Sequence, residues 1–469
     1  MEDNSKLERG LKPRHVEMIA LGGTIGVGLF MGSASTIQTA GPSVLLCYAL
    51  AGLVMFFIMR IMGEMLYLEP VTGSFATYGH KYICPFAGYL TAWCYWFLWV
   101  TVGLSEVTAV GIYVHFWFPD VPQWISALGG MLIVTLANMA AVKYYGEFEF
   151  WFAIIKVTTI VVMLVVGAMI ILFGFGNNGV PLGFSNLWSH GGFFPNGWEG
   201  VFGTLVMISF AYVGIEVIGV TAGEAHNPAK TLSGAIDKVL YRILLFYVLA
   251  LLVIMAIYPW NQLGHQGSPF VMVFEKLGIS SAAHIINFVV ITAALSSCNS
   301  GIYSTGRMLY NLSLQGKAPK SLSVVSSHKV PYRCILVSVL FMLIGVAMNY
   351  FLPAQVFVIA TSISSFACMI TWSLILFSQM SYRKSLSPEQ RKSIRYKMPL
   401  SPYSNYFALL FFVVVVISAA FDATTRIAIF ATIVWVAALL LVYYGTGVHK
   451  AEKIRFEHYK GDAVDPSNR

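Results

Sequence analysis

The chain has 469 residues, 57% of them hydrophobic and only 11% charged, with a formal net charge of +8. A soluble domain averages about 25% charged residues, so this much apolar surface belongs in a bilayer. The basic residues sit scattered at the ends of apolar runs, which excludes a nucleic-acid partner. The six cysteines lie mostly inside those runs without metal-ligand spacing, which excludes a disulfide scaffold or a metal site.

A spanning helix takes about 20 residues. In chain order the apolar runs predict twelve spans, at 17–37, 42–66, 86–115, 122–143, 147–174, 198–222, 240–259, 283–307, 333–351, 354–379, 403–421 and 427–446. They are long and continuously apolar, unlike the alternating strands of a barrel. The fold class expected is an all-α integral membrane protein. The N-terminal residues show no cleavable signal pattern. Residues 1–16 read as a cytoplasmic N-terminal segment and 447–469 as a cytoplasmic tail. Glu69 to Pro85 is too polar to cross and reads as an interfacial loop or short helix. The longest outer connection, 175–197, carries Phe184, Trp188, Phe193 and Phe194, and Trp198 follows it, all suited to a membrane–water interface.

With the N-terminus inside, 26 of the 29 Lys and Arg fall on cytoplasmic segments, and only Lys276 and Arg426 lie outside. The positive-inside rule therefore places both termini in the cytoplasm. The remaining cation, Lys156, lies within a span, nine residues past Glu147, or about 13–14 Å along a helix. Ionisable groups at that depth cost a few kcal/mol and need a reason. Burial brings the charged and neutral forms of an amine closer in energy, so Lys156 can serve as a proton-coupling site. It can equally be a structural ammonium held by carbonyls or a carboxylate at a helix break. Glu106 and Glu216 are also expected in spans. Each is either a protonated structural hydrogen-bonder or a functional group, Glu106 as pocket wall or relay and Glu216 as gate or proton acceptor.

The first span contains Gly22, Gly23, Gly26 and Gly28 within seven residues. Each weakens a helix by roughly 1 kcal/mol relative to alanine. Either the helix unwinds there, offering free N–H groups to an anion and free carbonyls to a cation, or the glycines permit close helix packing. A second glycine beside polar groups at mid-depth, in the sixth span at Phe210-Ala211-Tyr212-Val213-Gly214-Ile215-Glu216, favours unwinding. Two breaks five spans apart imply halves of inverted topology, 17–174 and 198–379, with 403–446 as two further spans; paired broken helices point to the central site of a transporter. The eighth span adds a polar run, Ser296-Ser297-Cys298-Asn299-Ser300. There is no H-E-x-x-H, P-loop or nucleophile elbow, so an enzyme is not expected, and the short tails argue against a sensor with a signalling domain.

These residues carry a family resemblance. ERGLKPRHVEMIALGGTIGVGLFMGSA (8–34), PVTGSFATYGHKYICPFAGYLTAW (70–93), GEFEFWFAIIKV (146–157), FAYVGIEVIGVTAGEAHNP (210–228) and ALSSCNSGIYSTGRML (294–309) are together highly specific. From about Leu7 to the last span the chain resembles bacterial amino-acid permeases of the amino acid–polyamine–organocation superfamily, in the branch carrying neutral, aromatic and basic amino acids. A departure is Ile83-Cys84-Pro85, where a glycine often precedes the proline. The resemblance implies two five-helix inverted repeats plus two helices, in a bacterial cytoplasmic membrane. It implies a substrate carboxylate at the backbone of Thr24, Ile25, Gly26, Val27 and Gly28. The α-amino group would meet carbonyls near Ala20 and around Phe210, Ala211 and Tyr212, beside Gly214. Lys156, next to Ser296 and Ser297, would stand where sodium-coupled relatives hold an ion, making the protein proton-coupled with no other cofactor. Tyr212 and Glu216 would belong to the site and its gates. A neutral amino acid of the threonine, serine, alanine or proline type is the expected substrate. A cationic one paired with Glu106, or exchange without net proton flow, is the alternative.

Overall fold

The computed structural model describes residues 25–68, 74–139, 142–217, 236, 241–263, 268–275, 281–394 and 396–452. The expected contacts at Ala20 and Thr24, and the tail beyond residue 452, lie outside them. Among the described residues there are helices and no strands.

The helices are α1 (Val27–Phe30), α2 (Gly32–Ala40), α3 (Val44–Leu68), α4 (Ser74–Tyr82), α5 (Pro85–His115), α6 (Gln123–Met139), α7 (Val142–Phe173) and α8 (Gly197–Ala211). They continue with α9 (Ala250–Ile257), α10 (Pro269–Glu275), α11 (Ala282–Leu314), α12 (Tyr332–Phe351), α13 (Val356–Ser385), α14 (Pro388–Ser393), α15 (Tyr403–Ala419) and α16 (Ala423–Gly445). Among the described residues, seven helical runs are long and apolar enough to cross a membrane, the first being Val27–Tyr67. Four shorter apolar helices, Gln123–Met139, Gly197–Ala211, Tyr241–Ile257 and Tyr403–Ala419, stand where spans are also predicted. The chain is thus a multi-pass, all-helical membrane protein.

Local chemistry sets the helix ends. Pro85 opens α5, where its missing N–H costs nothing. Asp422 caps α16 by accepting from the N–H groups of Thr424 and Thr425 at 3.0 and 2.8 Å. The polar stretch after α3 forms the short helix α4, one of its two expected forms.

α5, α11 and α13 are the buried centre. Gly345 lets α12 press directly on Leu104 of α5. The outer helices turn apolar side chains outward, among them Leu136, Trp151, Val165, Leu340, Leu410, Ile433 and Leu441. A water-soluble protein would not expose such a band; a lipid-facing one must. Five of the six cysteines are buried, Cys84 is half-buried, and all are free, as expected of packing residues.

Two charge clusters bind the end that the charge rule assigns to the cytoplasm. Arg383 on α13 grips the fully buried Glu64 of α3 with Nε and Nη2 at 2.7 and 2.6 Å. Gln379 and the Met398 N–H donate to the same carboxylate, so the segment after α14 is tied under α3.

Beyond α16, Glu452 meets Lys317 at 2.9 Å and His80 of α4 at 3.1 Å. Burial alone would push the Glu452 carboxyl up. The hydrogen bond with His80 and the Lys317 charge outweigh it and hold the group at about 2. A depressed value stabilises docking above the free carboxyl's value of about 4.3, and that stabilisation is lost as pH falls toward about 2. A fluorophore on the tail should therefore report release only in that acid window for the wild type, and at neutral pH for Glu452→Gln. Wild-type release at pH 6 would contradict this.

Candidate functional site

The two sequence breaks meet in space. Gly26 is extended (φ −116°, ψ −162°) at the N-cap of α1; Gly22 and Gly23 lie outside the described residues. On the other side, α8 stops at Ala211 and residues 212–216 run as turns. Gly214 has φ +95° there, a conformation that favours glycine. Gly28 faces Ala211 so closely that a Cβ on it would stand 2.8 Å from the Ala211 Cα. Ile25, Gly26, Val27, Gly28, Phe210, Ala211, Tyr212 and Gly214 are all buried.

At a break, carbonyls lose their helical partners. The Ala211 carbonyl accepts from the Tyr247 hydroxyl at 3.0 Å. Tyr247 lies in a π-helical turn, Leu244–Leu249, a feature frequent at functional sites. The Tyr212 hydroxyl donates to the Tyr48 carbonyl at 2.8 Å, and the Tyr212 and Tyr247 rings pack 4.7 Å apart. Tyr212 therefore props the break against α3.

Beside the first break lies a buried polar network. A Cβ on Gly26 would stand 2.6 Å from Glu106 Oε1 and 3.4 Å from Ser297 Oγ. Glu106 on α5 interacts with the Ser297 hydroxyl, the Val27 N–H and, through its charge, Lys156. It is 2% exposed, and its Oε2 has no hydrogen-bond partner among the described residues. Lys156 on α7 is fully buried and donates to Ser296 Oγ at 3.0 Å. Ser296 in turn donates to Glu149 Oε2 at 2.8 Å, and Asn299 donates to Glu149 Oε1 at 3.0 Å. Lys156, Glu106, Ser296 and Ser297 are thus brought together.

Glu216 does not join this group. Its Oε2 accepts from the Gly214 N–H at 3.2 Å, and it lies beside Trp372 of α13. It braces the second break from within.

Glu149 is the residue the sequence reading passed over. It stands seven positions before Lys156, two helical turns along the same face, and that spacing was available as a signal.

On the α2 side of the breaks, a cavity of about 860 Å³ runs along Met31, Ser35 and Gln38, with Tyr113, Asn287 and Phe357 on the facing helices. Its volume is in the range of small-molecule sites. Ser268, also in its lining, donates to the Phe30 carbonyl at 3.0 Å.

The chain as a whole has relatives. A family model described as amino acid permease matches residues 15–458. The chain is 56% identical over 449 residues, covering 96% of it and 97% of the relative, to the uncharacterized amino acid permease YtnA of Bacillus subtilis. It is 52% identical over 447 residues (95% of this chain, 96% of the relative) to the probable threonine/serine transporter YbxG of the same organism. It is also 46% identical over 438 residues (93% and 95%) to the Bacillus subtilis amino-acid permease AapA. The chain belongs to the amino acid permease family.

Proposed function

We propose that the protein is a proton–amino-acid symporter importing a small neutral amino acid by alternating access. The single observation carrying this reading is a fully buried lysine in a hydrogen-bonded network of carboxylates and serines, beside the point where the start of α1 meets the end of α8. A titratable group there can tie protonation to the state of the breaks. The backbone of Ile25, Gly26, Val27 and Gly28 would receive the substrate carboxylate, and Phe210, Ala211 and Tyr212 would frame its amino group. Glu216 would act at the gate.

In this reading the chain makes twelve spans, 17–174 and 198–379 forming inverted five-helix repeats and 403–446 the last two. Both termini lie in the cytoplasm of a bacterial cell, and a proton replaces any metal. The cavity beyond the breaks would be the outer vestibule.

The similarity to YbxG, whose name gives threonine and serine as its substrates, supports a small hydroxylated or aliphatic side chain. Discrimination between such side chains rests on contacts worth about 1–3 kcal/mol. The test is uptake of labelled threonine, serine, alanine, proline and lysine by purified protein in liposomes, with and without an inside-alkaline gradient. Accumulation of one or more of the four neutral amino acids only with the gradient is expected. Preferential lysine uptake would turn Glu106 into a side-chain partner, and uptake that requires internal amino acid but ignores the gradient would mean exchange.

A further inference from the structure

One buried titratable group of this network has no role assigned above. Glu149 is 1% exposed. Its two oxygens each receive a donor, Ser296 on Oε2 at 2.8 Å and Asn299 on Oε1 at 3.0 Å, and Ser300 also interacts with it. Asn299 is oriented by Asn138 of α6, which donates to its Oδ1 at 2.7 Å. With Nδ2 on Glu149 and Oδ1 on Asn138, Asn299 can only donate to the carboxylate. Ser296 has one proton. It accepts from Lys156 at 3.0 Å and gives that proton to Glu149, so the three groups form a directed chain. Among the described residues, Glu106 on α5 also faces Lys156 with its charge.

We propose that Glu149 is the station on the cytoplasmic side of the coupling lysine, receiving its proton through the Ser296 hydroxyl. In the concerted step an N–H bond of the Lys156 ammonium breaks and its proton joins Ser296 Oγ, while the Ser296 O–H bond breaks and its proton joins Glu149 Oε2. A neutral amine and a neutral carboxylic acid result, so the Lys156–Glu149 pair carries no net charge before or after the step, and Glu106 loses the cation it faces. The transfer runs over two hydrogen bonds of 3.0 and 2.8 Å, from Lys156 to the residue two turns nearer the α7 end that the charge rule places in the cytoplasm. This assignment rests on the coupling reading of Lys156.

The experiment compares Lys156→Met, Glu149→Gln, Glu149→Asp and Ser296→Ala in liposomes. The probe is a mixture of labelled threonine, serine, alanine and proline under an inside-alkaline gradient, with counterflow against preloaded amino acid as the second readout. Glu149→Gln and Ser296→Ala should each lose gradient-driven accumulation at least tenfold while counterflow continues. Glu149→Asp should restore part of it, and the pH of half-maximal uptake should move in Ser296→Ala, which a merely structural contact would not cause. Wild-type accumulation in Glu149→Gln would overturn the proposal. So would a loss in Glu149→Gln with a normal Ser296→Ala, because Glu149 would then be a counter-ion and no relay. Should Glu149→Gln fail to assemble, Ser296→Ala and its pH profile decide alone. If Lys156→Met itself keeps accumulation, the coupling reading falls; if only Lys156→Met uncouples, the relay alone falls.

Discussion

Lys156→Met is expected to abolish gradient-driven accumulation. For one proton per substrate, a gradient of one pH unit supplies about 1.4 kcal/mol, enough for about tenfold accumulation. The variant should reach only equal concentrations on the two sides, because methionine carries no proton and cannot donate to Ser296 as Lys156 does. Counterflow should persist, since the backbone of the breaks does not depend on the ammonium. Glu149 loses a charge partner in this variant but keeps Ser296 and Asn299. Breaking a buried pair costs roughly 3–5 kcal/mol, and some loss of thermal stability is therefore expected alongside. Unimpaired accumulation would make Lys156 a structural lysine.

Gly28→Ala is expected to disable the site by a different route. The new Cβ would lie 2.8 Å from the Ala211 Cα and 3.3 Å from its N. Both are backbone atoms of the second broken helix and cannot swing aside as a flexible side chain would. Overpacking of this kind costs typically 1–3 kcal/mol, and here it is paid at the junction where the substrate would lodge. Uptake should fall roughly 10- to 100-fold in protein that remains monodisperse by size exclusion. Gly129→Ala is the control: nothing lies within 4 Å of its added Cβ, and alanine favours the helix. It should transport as the wild type does. Normal transport by Gly28→Ala would mean that the breaks do not meet as closely as the structure places them.

Most helices were legible because each carries a long apolar run, and hydropathy places Pro85–His115 and Tyr332–Phe351 to within a residue, whereas Ala282–Leu314 and Val356–Ser385 extend six or seven residues past the predicted ends. The sixth span is an instructive case. It is predicted over 198–222 with a break near Gly214; α8 ends at Ala211, residues 212–216 run as turns, and residues 218–222 lie outside the described residues. Lys156 was legible because a charge at mid-bilayer has few explanations.

Glu149 was legible only through its seven-residue spacing from Lys156. Near the start of a span and two residues from Glu147, it reads as an interfacial acid, and only the packing of Ser296 and Asn299 from α11 makes it a buried partner. The role of Tyr247 depends on the π turn that carries it, a change of helical register that residue spacing does not reveal. Glu106 and Glu216 looked alike in sequence, each an acid in an apolar run. The fold sends the first to Lys156 and the second to Gly214, because α5 and the second break have different neighbours. The tie between Glu64 and Arg383 joins residues 319 positions apart, which no local pattern anticipates.

The central claim is that a proton moves with the amino acid. Liposomes holding a trapped pH-sensitive dye, with the membrane potential clamped and no pH gradient imposed, test it most directly. Adding external substrate amino acid should acidify the lumen at the rate at which labelled amino acid enters, and Lys156→Met should remove the acidification. Entry of label with no change in lumenal pH would contradict the account.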